Sequence, residues 1–146
     1  MSLDRLFGAI NISASGGAAE RLRMEVVANN IANASSTRTP GGGPYRRHDV
    51  VFAAVLNQRL EGRAPAQEKL GGVRALGMVE DRSELPRVYN PGHPDADADG
   101  MVTMPNVQLP IEMVNLVTAT RAHEANLRMI QTFREMAEQS IALIRR

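Results

Sequence analysis

Apolar and small side chains recur every three or four residues at both ends of the chain, which is the spacing of one face of a helix. Near the start these positions are Leu3, Phe7, Ile10, Ala14, Ala18, Leu22 and Val26. Ser and Gly residues at positions 13–17 interrupt the pattern, and each Gly costs about 1 kcal/mol relative to Ala inside a helix. The pattern therefore predicts an N-terminal helix within residues 1–35 that needs neighbouring helices to be stable.

Three asparagines mark the expected end of this helix: Asn29, Asn30 and Asn33. Asparagine competes for backbone hydrogen bonds, so it suits the fraying end of a helix better than its interior. The Pro and Gly residues between Thr39 and Pro44 cannot continue a helix, because proline lacks the backbone donor and glycine has no preference to stay helical. We expect a hinge or linker over residues 36–44.

The middle of the chain, residues 45–109, has a different pattern. Alternating or continuous apolar runs predict short strands at residues 45–52 and 73–79. Six prolines are scattered through and just after this region and keep strands short. We expect a small, loop-rich β element whose polar segment 57–71 is mobile.

The strongest pattern covers residues 110–146 and predicts a long C-terminal helix with two apolar seams. The first seam has heptad spacing and comprises Ala122, Ala125, Met129, Thr132, Met136 and Leu143. The second is displaced by one residue, about 100° around the helix, and comprises Met113, Leu116, Leu127, Ile130, Ala137, Ile141 and Ile144. We expect the first seam to pair within the chain and the second to contact another molecule, since a large exposed apolar patch usually marks an association surface. The alternative is that the second seam packs on the β element.

These elements predict a mainly α fold, in which the long N- and C-terminal helices form an antiparallel pair or coiled coil around an inserted β element. The expected divisions are an N-terminal helix at 1–35, a Gly/Pro linker at 36–44, a β and loop region at 45–109, and a C-terminal helix at 110–146.

Composition narrows the function. The net charge of +1 gives no basic field for nucleic acid or a membrane surface. The absence of cysteine excludes disulfides and thiol chemistry. The uncharged stretch at residues 6–19 has 14 residues, too few to cross a bilayer. Its apolar positions continue in phase past Glu20, so we expect it to belong to the mature fold and not to a cleaved leader.

Candidate chemistry is sparse. Asp95, Asp97 and Asp99 followed by Gly100 copy the first half of an EF-hand loop, but Asn106 stands where calcium needs a bidentate Glu. The histidines at 48, 93 and 123 have no metal-ligand spacing. No nucleophile, base or phosphate-binding motif is present, so we expect neither an enzyme nor a bound cofactor or metal.

Several blocks resemble one family, and together they extend over nearly the whole chain. The blocks are Met1-Ser2-Leu3, Ala28 to Ser35, Tyr45-Arg46-Arg47 before Val50-Val51-Phe52, Tyr89 to Asp97 with Gly100, Met104 to Val107, Glu112-Met113-Val114, and Arg121 with Glu124, Ala125 and Asn126. The chain resembles the bacterial flagellar rod and hook proteins, in particular those of the proximal rod, and the Tyr-Asn-Pro-Gly-His-Pro block is the most specific of its motifs.

The resemblance implies a structural subunit that polymerises into a helical tube in the periplasm and transmits torque from motor to hook. It implies export by the flagellar type III apparatus without a cleaved signal, with other rod proteins and basal-body ring proteins as partners and no nucleic acid, small-molecule substrate or membrane insertion. The expected assembly residues are Leu3, Phe7, Ile10, Leu22, Val26, Asn30, Asn33, Met113, Leu116, Leu127, Met129, Ile130, Met136, Ile141 and Leu143. The alternatives are another axial rod subunit and, from a different class, a cation-dependent binding module built on residues 95–100.

Overall fold

The computed structural model describes residues 3–57 and 69–144, and side chains over 8–55 and 71–142. Two long helices enclose four strands in chain order: α1 (Leu3–Ala32), β1 (His48–Asn57), β2 (Lys69–Glu80), β3 (Arg87–Tyr89), β4 (Met101–Thr103) and α2 (Leu109–Ile144). The predicted mainly helical fold with a small β element is confirmed. Most of the segment predicted to be mobile, residues 58–68, lies outside the described residues.

The strands form two small sheets. β1 pairs with β2, and β3 pairs with β4. The second pair is antiparallel, with Val88 opposite Val102 at its centre. The chain divides into two compact units: unit 1 lies within Met1–Leu22, Phe52–Leu76 and Ala119–Arg146, and unit 2 within Arg23–Val51 and Gly77–Thr118.

Unit 2 contains a small apolar core made of valines. Val26 and Val27 come from the last turns of α1, Val50 from β1 and Val102 from β4, and all four are buried. The chain between α1 and β1 is a hydrogen-bonded turn, in which Thr39 N donates to Gly43 O at 2.8 Å and Tyr45 N donates to Ser36 O at 2.9 Å. Gly42 and Gly43 have φ of 85° and 76°, a left-handed conformation that glycine adopts without steric cost.

Unit 1 contains a close approach between α1 and α2. A Cβ placed on Gly16 would lie 3.1 Å from Asn126 Oδ1, and His123 Nδ1 lies 2.8 Å from Gly17 O. The contacts advance in opposite directions along the two helices, so the pair is antiparallel. The Gly residues that weaken α1 as an isolated helix thus let the backbones come together.

The structure does not separate the two seams of α2 as expected, because each seam contains both exposed and half-buried side chains. Met129 and Met136, expected to pair within the chain, are 50% and 36% exposed, whereas Ile130 is half-buried. The inward face of α2 in unit 1 instead carries Ala119, His123 and Asn126. Where two helices approach closely, the side chains between them are small or polar. The spacing of large apolar residues therefore did not predict which side of α2 faces α1.

Within the described residues, neither helix has an apolar run long enough to cross a membrane.

Candidate assembly surface and polar hub

Five polar side chains in unit 2 join the end of α1, the entry to β1 and the first turns of α2. We call this cluster the polar hub, and its members are Asn30, Tyr45, Arg47, His48 and Glu112. Asn30 is 0% exposed and Glu112 is 1% exposed, so both lie deeper than most of the apolar core. Buried polar groups are tolerated when their hydrogen bonds are made, so Asn30 and Glu112 each need partners inside the hub.

Asn30 uses its whole hydrogen-bonding capacity. Its Nδ2 donates to His48 O at 2.8 Å and to Glu112 Oε2 at 3.1 Å. Its Oδ1 accepts from Tyr45 Oη at 2.9 Å and from His48 N at 3.0 Å. An amide has two donors and two acceptor sites, so Asn30 is fully satisfied. One side chain of α1 therefore fixes the start of β1 and the start of α2.

Glu112 is the only buried carboxylate among the described residues, and it is paired. Its Oε1 accepts from Arg47 Nε at 2.8 Å, and Asn115 Nδ2 lies 3.4 Å from the same oxygen. Burial alone would lower the pKa of Arg47, but the hydrogen bond and charge of Glu112, together with Asp49, raise it above its ordinary value. Breaking such a pair from one side leaves an uncompensated buried charge, which costs about 3–5 kcal/mol.

Tyr45, a member of the hub, and Asn106, which lies next to it, make the remaining contacts. Burial, followed by the charge of Glu112, raises the pKa of the Tyr45 hydroxyl, which therefore holds its proton more tightly. Asn106 Oδ1 accepts from Arg47 N at 2.8 Å, while its Nδ2 donates to Asp81 O at 3.1 Å. Asn106 therefore positions the backbone of Arg47.

The expectation of a fraying asparagine end is wrong for Asn30, which lies inside the last turn of α1 and is buried. Asn33 follows the helix, and its Nδ2 donates to Asn29 O at 2.9 Å while its Oδ1 accepts from Ser36 Oγ at 3.2 Å. The difference arises because the partners of Asn30 come from His48 and Glu112, which local helix rules do not include.

The acidic loop engages partners within unit 2. Asp95 accepts a hydrogen bond from Thr37 Oγ1 at 2.8 Å and pairs with Arg38 at 2.7 Å. Asp97 pairs with Arg87, and backbone N–H bonds, first that of Met101, lower the pKa of its carboxyl. Among the described residues no group of three or more Asp, Glu or His side chains is arranged to hold a metal ion.

Exposed apolar side chains follow α2 through both units. We call those in unit 2 the proximal strip, which comprises Ile111, Met113, Val114 and Val117, and we call Met129 and Met136 in unit 1 the distal strip. Leu127 and Ile141, also exposed in unit 1, lie at least about 120° away from the distal strip around the helix. A soluble monomer seldom leaves such large side chains exposed together, so each strip is a candidate association surface.

Two segments of the chain match models of known protein families. A model of the family "Flagella basal body rod protein" matches residues 10–38, and one of the "Flagellar basal body rod FlgEFG protein C-terminal" matches residues 98–143. The chain is 40% identical to the flagellar basal-body rod protein FlgC of Borreliella burgdorferi, over 95% of this chain and 97% of the relative. The chain belongs to the FlgC family of flagellar basal-body rod proteins.

Other relatives agree with this assignment. FlgC of Agrobacterium fabrum is 39% identical over 98% of both chains, and FlgC of Salmonella typhimurium is 38% identical over 94% of this chain and 97% of its own. The resemblance found from the sequence motifs is confirmed. The chain is a structural rod subunit of the flagellar basal body.

The structure divides the expected assembly residues into three groups. Val26 and Asn30 are buried within unit 2; Ile10, Leu22, Asn33, Leu116 and Ile130 are half-buried; and Met113, Leu127, Met129, Met136 and Ile141 are exposed. The side chains of Leu3, Phe7 and Leu143 lie outside the described set. Tyr45, Arg47 and Glu112 belong to the family motifs, but their local pattern gives no sign of their role in the hub. Glu112 is a single acidic residue on the apolar side of α2, and this position was the one feature of the sequence that could have indicated its burial.

Proposed function

We propose that the chain is a proximal-rod subunit, which polymerises with copies of itself and with other rod proteins into a helical tube. The tube lies in the periplasm, contacts the basal-body ring and transmits torque from motor to hook. The subunit reaches that site through the flagellar type III export apparatus, without a cleaved signal. Catalysis has no part in this function.

The apolar strips of α2 carry the proposal. Met129 and Met136 lie seven residues apart, two turns along the same side of α2, and both are exposed. Heptad spacing suits a helix that packs lengthwise on another helix. The inward side of α2 in unit 1 is already occupied by α1 through Gly16, Gly17, His123 and Asn126. We infer that the distal strip contacts a neighbouring subunit and that the expected assembly residues divide between holding the subunit and joining it to others.

Three consecutive residues on α2 allow a matched test. Met129 is exposed and apolar, Ile130 is half-buried, and Gln131 is exposed and polar, so substitution by Asp places a similar new carboxylate in three directions about 100° apart. Met129→Asp should leave thermal unfolding of the purified subunit nearly unchanged, within about 0.5 kcal/mol. It should abolish rod assembly and swimming when it replaces the normal subunit, because a charge is then buried unpaired at the contact.

The neighbouring variants serve as controls. Ile130→Asp should destabilise the subunit itself by about 1–3 kcal/mol, and Gln131→Asp should affect neither stability nor swimming. Secretion of each variant into the medium shows that export still works. Normal swimming with Met129→Asp would contradict the distal strip as an assembly surface, even if the chain is a rod subunit.

A further inference from the structure

The backbone of His48 fixes the orientation of the Asn30 side chain. The N–H of His48 can only donate, and it lies 3.0 Å from Oδ1 of Asn30. The carbonyl of His48 can only accept, and it lies 2.8 Å from Nδ2. Exchanging the amide oxygen and nitrogen would place donor against donor and acceptor against acceptor. The amide therefore has one permitted orientation, independent of any choice made for the other side chains.

This orientation determines which atom of the neighbouring side chains carries each proton. Because Oδ1 of Asn30 accepts, Tyr45 Oη at 2.9 Å must donate its single hydrogen there. The same hydroxyl lies 3.0 Å from His48 Nδ1, and in that contact it has only a lone pair to offer. The Nδ1 atom of His48 must therefore carry a proton and donate it to Tyr45.

At the other end, the carboxyl group of Glu112 receives the hydrogen bonds. Asn30 Nδ2 donates to Oε2 of Glu112 at 3.1 Å, and Arg47 Nε donates to Oε1 at 2.8 Å. Both oxygens of Glu112 therefore act as acceptors in these bonds. The side-chain hydrogen bonds of this series thus all point the same way: His48 donates to Tyr45, Tyr45 donates to Asn30, and Asn30 donates to Glu112.

We propose that the polar hub is a one-way hydrogen-bond latch that holds His48 as its Nδ1–H tautomer. Protonation of His48 adds a hydrogen only at Nε2, which takes no part in the latch. The charged groups that His48 meets are Glu80 on β2, whose Oε1 lies 3.9 Å from Nε2, and Glu112 and Arg47, which it reaches through Asn30. Removing the phenolic proton of Tyr45 leaves Asn30 Oδ1 without this donor and opens the latch.

Nitrogen NMR of the full-length protein tests this proposal directly. In labelled protein at neutral pH, His48 should show a protonated Nδ1 and an unprotonated Nε2, the reverse of the tautomer that predominates for solvated histidine. In Tyr45→Phe, which removes the acceptor, His48 should revert to the Nε2–H tautomer. A neutral His48 protonated at Nε2 in the unaltered protein would overturn the latch.

Substitutions at position 48 give a second, independent test. The amide nitrogen of Asn can replace Nδ1–H as a donor, whereas Asp offers only acceptors at the same size. His48→Asn should keep the Tm close to that of the unaltered protein, and His48→Asp should lower it by about 4 °C or more. Adding Glu80→Gln to His48→Asp separates donor loss from charge repulsion. If the double variant regains the Tm of His48→Asn, repulsion caused the loss and the latch is refuted; a persistent loss supports it.

Discussion

Replacing Asn30 by Asp changes one buried atom of the hub from a donor to an acceptor. The oxygen that replaces Nδ2 would lie about 2.8 Å from the carbonyl of His48 and about 3.1 Å from Oε2 of Glu112, the distances that Nδ2 now makes. Two like charges at that second distance repel by about 5 kcal/mol at an effective dielectric constant of about 20. The variant can avoid this repulsion by protonating one of the two carboxyls.

The cost of adding this proton determines how much Asn30→Asp lowers the free energy of unfolding. At pH 7, adding a proton to a carboxyl whose ordinary pKa is about 3.9 costs about 4 kcal/mol. The proton then restores the bond to Glu112 but not the one to His48 O, whose loss adds about 1 kcal/mol. We expect Asn30→Asp to lower the free energy of unfolding of unit 2 by about 5 kcal/mol, comparable with the total stability of a small domain.

The dependence on pH provides a distinctive signature. The folded state holds the pKa of the new carboxyl above its unfolded value, so the folded state retains a proton that the unfolded state releases. The penalty therefore shrinks by about 1.4 kcal/mol per pH unit as the pH falls toward 4. At pH 5 the difference from the unaltered protein should be about 2–3 kcal/mol.

Urea unfolding followed by tyrosine fluorescence measures this effect selectively. The chain has two tyrosines and no tryptophan, and both Tyr45 and Tyr89 lie in unit 2. Asn29→Asp makes the same chemical change one residue earlier, at an exposed position, and should cost no more than about 1 kcal/mol from the unfavourable charge near a helix C-terminus. Equal losses for the two variants, or a loss at Asn30 that does not vary with pH, would refute the role of the hub.

Two further predictions concern glycines of α1 and the hydroxyl of Tyr45. Gly8→Ala places a Cβ with no atom within 4 Å and should stabilise α1 by about 0.5–1 kcal/mol. Gly16→Ala should be at least about 1 kcal/mol less favourable than Gly8→Ala, because its Cβ meets Asn126. Thermal unfolding by circular dichroism compares the two variants, and equal effects would contradict the close helix approach. Burial and Glu112 raise the pKa of Tyr45, so its contribution to stability should be fully present below about pH 10 and be lost as the pH rises through the folded pKa, because the unfolded hydroxyl ionises first. Tyr45→Phe, though less stable at neutral pH, should lack this alkaline decline, and parallel pH profiles of the two proteins would show that Tyr45 is not its source.

The amino-acid sequence by itself determined the two helices, the loop-rich β element and the family. Helical periodicity is a local property, and the long run at 110–146 has enough turns to identify α2 almost to its ends, Leu109 and Ile144. Turn-forming Gly and Pro residues are local signals as well, and they separated α1 from β1. The family motifs could be recognised because each is a short contiguous block.

Only the tertiary structure decided which faces are used and what the motif residues do. Periodicity places Met129 and Ile130 on different sides of α2, but which side meets α1 depends on Gly16 and Gly17, more than 100 positions earlier in the chain. Asn30 was expected at a fraying end for the same reason, since its acceptor on Glu112 is 82 positions away. A local pattern records hydrophobicity along one element, whereas the burial of a polar side chain depends on whether distant groups complete its hydrogen bonds.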